Sequence, residues 1–151
     1  MRIRLPPRLR PLAASVPPGA AVADIGCGDA QLALALRQHG HRVVATERRP
    51  GPAERARAWL GECRLGDGLE PLAPGEVEVA VIAGMGGNTI ASILERSPDV
   101  VRQLSLLLLQ PMQRQSELRE WLDRNQFQLL DEVPAADRGR SYTVLIVRPS
   151  P

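Results

Sequence analysis

The chain has 151 residues, 44% of them hydrophobic, with 19 basic and 17 acidic side chains and a formal net charge of +2. That length suits one domain, residues 1–151, with a three-layer core, and so small a charge excludes a whole-molecule field that would by itself argue for nucleic acid. No apolar run approaches the ~18 residues needed to span a membrane, and no apolar signal core follows the basic stretch Met1–Arg10. The expectation is a cytoplasmic protein with no membrane partner.

In chain order, Leu9–Val16 reads as a short helix confined by Pro11, followed by a turn at Val16-Pro17-Pro18-Gly19. Ala21–Ile25 reads as a buried strand. Ala30–Gln38 is a helix apolar nearly all round, with Gly40 as its stop. Arg42–Thr46 is a second strand, Pro52–Leu60 a helix, Cys63–Leu65 a short third strand and Val77–Ile82 a fourth. Asn88–Glu95 places Ile90, Ile93 and Leu94 on one helical face, and Ser97-Pro98 ends it. Leu104–Leu109 is a fully buried fifth strand. Ser116–Arg124 is a helix with Leu118, Trp121 and Leu122 inward. Phe127–Val133 and Tyr142–Val147 are closing strands around an Asp-Arg-Gly turn.

Strands alternating with helices imply a mostly parallel sheet covered on both faces. Two last strands with no helix between them imply an antiparallel edge. The fold class is therefore α/β and Rossmann-like: a three-layer sandwich around a seven-stranded sheet.

Cys27 and Cys63 are widely spaced and lack a CxxC partner, and His39 and His41 sit beside a helix end, so no metal site is expected. A reducing compartment disfavours a disulfide. Every basic residue is arginine, which makes forked contacts to phosphate and stacks on bases. Arg2, Arg4, Arg8 and Arg10 are the densest basic cluster. They read either as a solvated face or as an RNA-binding patch.

In an open parallel sheet, ligands bind beyond the carboxyl ends of the strands. After the first strand comes Asp24-Ile25-Gly26-Cys27-Gly28-Asp29, opening a helix whose free N–H groups favour an anion. An acid, two glycines and a helix N-terminus suit a zwitterionic amino-acid group, such as the methionyl part of S-adenosylmethionine. A dinucleotide-binding loop would want a third glycine where Gln31 stands. After the second strand, Glu47 with Arg48 beside it lies where an acid receives the ribose hydroxyls of a nucleoside cofactor. After the third, Asp67-Gly68 can take an adenine ring and its amino group. After the fourth, Ala83-Gly84-Met85-Gly86-Gly87 has three glycines in four residues, an entropic cost that points to a need for space. Ala83, Gly84 and Met85 are candidates for the cofactor, and Gly86 and Gly87 for the methyl acceptor. After the fifth, Gln110-Pro111 is a candidate acceptor contact.

These stretches together resemble the class I methyltransferases. More narrowly, the chain resembles the bacterial tRNA (adenine(22)-N1)-methyltransferase family. Arg8-Leu9 with Val16-Pro17, Ala23–Gly26, Gly66–Glu70, Ile82–Gly87, Leu109–Pro111, Leu118–Leu122, Asp131-Glu132 and Tyr142–Leu145 match in order. The resemblance implies S-adenosyl-L-methionine as cofactor, tRNA as partner and adenine N1 as acceptor, with Arg8 and Arg10 on the RNA. The loop departs from the family after Cys27: Asp29 and Gln31 stand where the family carries histidine and tyrosine, and no role is carried over from them. Asp29 is a candidate for stabilising the cationic product, or else a cap of the following helix. The resemblance also leads one to expect a helical C-terminal domain, which this chain, ending at Pro151, is expected to lack. A methyltransferase acting on a small molecule or protein, and a non-catalytic cofactor-binding module, remain alternatives. Oligomeric state stays open.

Overall fold

A computed structural model describes residues 2–150. A 3-10 turn at Pro7–Leu9 leads into helix α1 (Arg10–Ser15). There follow β1 (Val22–Ile25), α2 (Gln31–Gln38), β2 (Val43–Glu47), α3 (Pro50–Leu60), β3 (Arg64–Leu65), β4 (Val79–Met85) and α4 (Gly87–Arg96). Then come α5 (Pro98–Arg102), β5 (Leu106–Pro111), α6 (Gln115–Arg124), β6 (Gln128–Asp137) and β7 (Arg140–Arg148).

The strands form one seven-stranded sheet in the order β3-β2-β1-β4-β5-β7-β6. β1 through β5 pair in parallel, and β7 runs antiparallel to both β5 and β6. The order reverses between β1 and β4, so the crevice for a ligand opens there, above their carboxyl ends.

Alternation along the strands divides the core in two. Ala23, Ile25, Ala80, Ile82, Leu107 and Leu109 face α4, α5 and α6, and pack with Ile90, Leu94, Val101, Leu118 and Leu122. Val22, Val79, Val81 and Leu108 face the other way onto Leu12 of α1, Leu32, Ala33 and Leu36 of α2, and Ala53, Ala56 and Leu60 of α3. A period of two supplies both faces because every central strand is covered twice. Each fully buried leucine or isoleucine contributes about 1.5–3 kcal/mol of burial.

The expected elements all form, with differences at their ends. The first helix starts as a 3-10 turn, and Pro11 sits in the first turn of α1, where its missing N–H costs nothing. β4 runs three residues past Ile82, through a bulge between Ala83 and Met85. Pro98 does not merely end a helix; it begins α5, with the Val101 N–H donating to the Ser97 carbonyl. β6 and β7 are longer than hydrophobicity alone suggested, because their outer ends pair across a hairpin with polar and charged side chains. Among the described residues no helix is long and apolar enough to cross a membrane, and no group of three or more His, Cys, Asp or Glu is arranged to hold a metal ion.

Candidate functional site

The cleft above β1, β2, β3 and β4 has two adjoining lobes. The larger, of about 380 Å³, is lined by Gly26, Glu47, Arg48, Arg49, Gly66, Asp67, Gly68, Ala83, Gly84, Met85, Thr89 and Ile93. The smaller, of about 220 Å³, is lined by Arg8, Leu9, Asp24, Gly26, Cys27, Gly28, Asp29, Gln31, Leu32, Ala83 and Gly84. Gly26, Ala83 and Gly84 border both, so the lobes meet where the β1 and β4 loops approach each other.

The β1 loop is built on backbone geometry that side chains rarely adopt. Gly26, Gly28 and Ala30 have φ of 68°, 55° and 66°, alternating with ordinary residues. Such alternation turns successive N–H groups toward one side and makes a concavity for an anion. The loop is stitched to its neighbour: the Cys27 N–H donates to the Thr46 carbonyl at 2.9 Å, and the Gly28 N–H to Glu47 Oε1 at 3.2 Å. A Cβ at Gly26 would stand 2.5 Å from Met85 Cε, so the Met85 side chain lies directly over this glycine.

Asp24 is buried at the end of β1, and its Oδ2 has no hydrogen-bond partner. Its carboxyl is pushed up to about 7, first by burial and then by the charge of Asp29; the Ala33 N–H works against this, and the charge of Glu47 adds to it. A buried carboxylate with a free oxygen facing a cleft is poised for a cation. Glu47 is also buried, and burial pushes its carboxyl up. Hydrogen bonds from the Arg49 N–H and guanidinium and from the Gly28 N–H outweigh that, so it stays below the ordinary range and ionised. Asp67 Oδ2 accepts from the Arg96 guanidinium at 2.9 Å, which lowers its carboxyl, while the residue still lines the larger lobe.

Of the residues picked out from sequence, Asp24, Gly26, Cys27, Gly28, Asp29, Glu47, Arg48, Asp67, Gly68, Ala83, Gly84, Met85 and Arg8 all border the cleft. Asp29 is exposed, and its Oδ1 accepts from the Gln31 N–H at 3.4 Å, a loop contact of the kind that caps a helix start.

Three residues expected to contact the acceptor are buried. Gln110 is fully buried; its Nε2 donates to the Arg8 carbonyl at 2.7 Å, which ties it to the segment carrying Arg8, while its Oε1 has no hydrogen-bond partner. Pro111 is buried as the last residue of β5, paired with Met85. Gly87 is buried at the start of α4, where a Cβ would lie 2.1 Å from the Arg114 carbonyl oxygen. It is small because α4 packs on the segment leading into α6. Arg10 lines a different cleft from these two lobes, and its Nε donates to the Leu5 carbonyl at 3.0 Å.

Arg49, Thr89 and Ile93 line the larger lobe and were not singled out. Arg49 is detectable in the sequence as a cation two residues from Glu47, and Ile93 reads there only as part of one helical face. The two cysteines, 36 positions apart, meet in the fold with their Sγ atoms 3.8 Å apart as free thiols. Burial raises both thiols well above the ordinary value.

Comparison with known proteins places this geometry in a family. A methyltransferase-domain family model matches residues 5–145. The tRNA (adenine(22)-N(1))-methyltransferase of Bacillus subtilis is 36% identical over 154 residues, covering 95% of this chain and 65% of the relative. The chain thus spans about two thirds of that relative's length. The solved B. subtilis m1A22 tRNA methyltransferase TrmK superposes with a TM-score of 0.89 at 36% identity, over 99% of this chain and 68% of that one. A Streptococcus pneumoniae candidate tRNA (m1A22) methyltransferase, solved with S-adenosyl-L-methionine, gives a TM-score of 0.91 at 31% identity, over 97% and 74%.

Proposed function

The chain belongs to the methyltransferase-domain family and groups by sequence and structure with bacterial tRNA (adenine(22)-N1)-methyltransferases; from that premise we propose that it methylates N1 of adenine 22 in tRNA, in the cytoplasm, using S-adenosyl-L-methionine. The observation that supports it best is the two-lobed cleft, with an unpartnered buried carboxylate in one lobe and two ionised carboxyls in the other.

The residues fit the cofactor. Asp24 would receive its ammonium through the oxygen that otherwise has no partner. The N–H groups of the β1 loop and the start of α2 would receive its carboxylate. Glu47 would accept from a ribose hydroxyl through Oε1, which accepts only from the Gly28 N–H, whereas Oε2 already accepts twice from Arg49. Asp67 and Gly68 would border the adenine. The larger lobe alone falls within the ~300–1,000 Å³ range of small-molecule sites. When bound, the cofactor supplies an electrophilic methyl group on a sulfonium.

What the chain does is hold the acceptor in line. Adenine N1 carries a free lone pair and needs no base to attack, but it lies on the pairing edge, so the base must leave its helix. Gly84, exposed in the β4 bulge, and Gly86 beside it leave the approach open where the two lobes join. Positioning of this kind can contribute ~7–11 kcal/mol to lowering a barrier. Methylation leaves the ring cationic; Asp29, exposed at the edge of the smaller lobe, is our candidate for stabilising that charge.

The test is transfer of labelled methyl to an unmodified tRNA transcript with adenine at position 22, against a matched transcript with guanine there. Label on the adenine transcript alone is expected. Equal label on both, or none on either with cofactor binding confirmed, would assign a different acceptor.

A further inference from the structure

A second cleft, of about 890 Å³, is larger than either lobe of the cofactor cleft. It lies between the N-terminal segment and the tip of the β6–β7 hairpin and is lined by Arg4, Arg8, Arg10, Arg138, Arg140 and Tyr142, with Asp137 as its one acid. The 3-10 turn and α1 pack against β6, which brings the two ends of the chain together here.

Three observations set these arginines apart. Elsewhere Arg49, Arg64, Arg96, Arg102, Arg114 and Arg119 each face a carboxylate, and of the arginines outside this cleft for which no ion pair is found, such as Arg37, Arg42, Arg48 and Arg55, only Arg48 lines either of the two lobes described above. None of the five arginines of this cleft makes an ion pair among the described residues. Concentrating guanidinium groups without carboxylate partners around one concavity raises its positive potential and leaves their charge to meet phosphate, although the Arg10 Nε is already taken by the Leu5 carbonyl.

The hairpin tip is also strained to hold one of them. Arg138 and Gly139 have φ of 52° and 75°, the double positive φ of a tight primed turn whose first position favours Asn, Asp or Gly. An arginine there costs roughly 1 kcal/mol of backbone strain. Finally, Arg8 lines both this cleft and the smaller cofactor lobe, so the two adjoin at that residue.

We propose that the cleft between the N-terminal segment and the β6–β7 tip holds the phosphodiester backbone of tRNA next to the target nucleotide. The arginines take phosphates, Tyr142 offers a ring edge and hydroxyl at the wall, and Arg8 marks where the displaced base turns toward the cofactor. This rests on the tRNA reading above. It assigns Arg4, Arg138, Arg140 and Tyr142 a role, and gives Arg8 and Arg10 a shared surface with them.

The test uses the full chain and an unmodified tRNA transcript, with affinity followed by fluorescence anisotropy as salt is raised, alongside cofactor affinity by calorimetry. The variant is Arg138→Glu with Arg140→Glu, and Arg138→Gln with Arg140→Gln is a milder pair. Arg102→Glu with Arg124→Glu is a charge-matched control on α5 and α6, across the sheet. The hairpin pair is expected to bind tRNA roughly tenfold or more weakly, and its salt slope to shrink by about 1 per lost phosphate contact. Cofactor affinity and melting temperature stay at parental values, and the glutamine pair falls between. Parental tRNA affinity and slope in the hairpin variant would overturn the groove, as would an equal loss in the control. A parent that binds cofactor but no tRNA would overturn the acceptor reading and the groove's occupant together, whereas transfer to tRNA that the hairpin variants leave intact would overturn the groove alone.

Discussion

After β1 the chain places Gly26 and Gly28 two residues apart, both at positive φ; at the end of β4 and the start of α4 it places Gly84, Gly86 and Gly87, of which only Gly84 has positive φ. In the first loop the glycines make the backbone concave toward the cleft. A Cβ at Gly28 would meet nothing within 4 Å, so the open space there belongs to the site. In the second loop the roles split: Gly84 is exposed in a bulge, while Gly87 is the point where the backbone of the α6 approach presses on α4. Clustered glycines therefore mark close approach, and only the structure tells whether the approaching group is a ligand or the protein itself.

The sharpest way to break that distinction is Gly87→Ala. Its Cβ would meet a backbone oxygen that cannot rotate aside. The expected loss is about 3 kcal/mol of stability. That corresponds to a fall of roughly 6–12 °C in melting temperature by calorimetry, with cofactor affinity kept in the protein that remains folded. An unchanged melting temperature would refute the packing role.

Asp24→Asn is expected to do the opposite. Losing a charge-assisted contact weakens cofactor binding by about 1.5–3 kcal/mol, or roughly 10–150-fold. The parent's cofactor affinity should rise between pH 6 and 8, as Asp24 ionises near its value of about 7, and the variant should lose that dependence. Stability should respond with the other sign. The folded carboxyl holds its proton more tightly than the unfolded one, so this contribution is fully present below the ordinary value of 3.8 and is lost as pH rises through about 7. The asparagine variant removes the slope. Calorimetric titration and thermal melts across this range check both.

Gly28→Ala should complete the contrast with Gly87→Ala: a stability cost of only ~1 kcal/mol from its positive φ, but cofactor affinity down about tenfold, measured by the same titration. The smallest effect concerns the cysteines. Buried and with raised thiols, Cys27 and Cys63 should react with a soluble alkylating reagent at pH 8 about tenfold or more slowly than free cysteine. Protection of both by bound cofactor would place Cys27 at the cleft wall. Fast labelling of either without unfolding would contradict its burial.

Much of this was legible beforehand because the signals were local. Strand periodicity and the acid–glycine loop are carried by adjacent residues, and they placed β1, β2, β4 and the Asp24 and Glu47 carboxyls. What the sequence did not show are contacts distant in sequence. Gln110 looked like a ligand contact because nothing nearby in the chain announces that it binds the Arg8 carbonyl, 102 positions away. Gly87 looked like open space because its constraint comes from Arg114. The hairpin arginines were invisible as a cluster because Arg4 and Arg140 sit at opposite ends of the chain and meet only once β6 and β7 have paired.

The central claim is that the two lobes hold the two halves of S-adenosyl-L-methionine, and a crystal structure of the chain with that cofactor tests it most directly. The account predicts the amino-acid end in the lobe of Asp24 and Gly28, with the ammonium on the Asp24 oxygen that otherwise has no partner, and the adenosine between Glu47 and Asp67-Gly68. A cofactor bound in the reverse orientation, or seated in the arginine cleft beside Arg138, would contradict it.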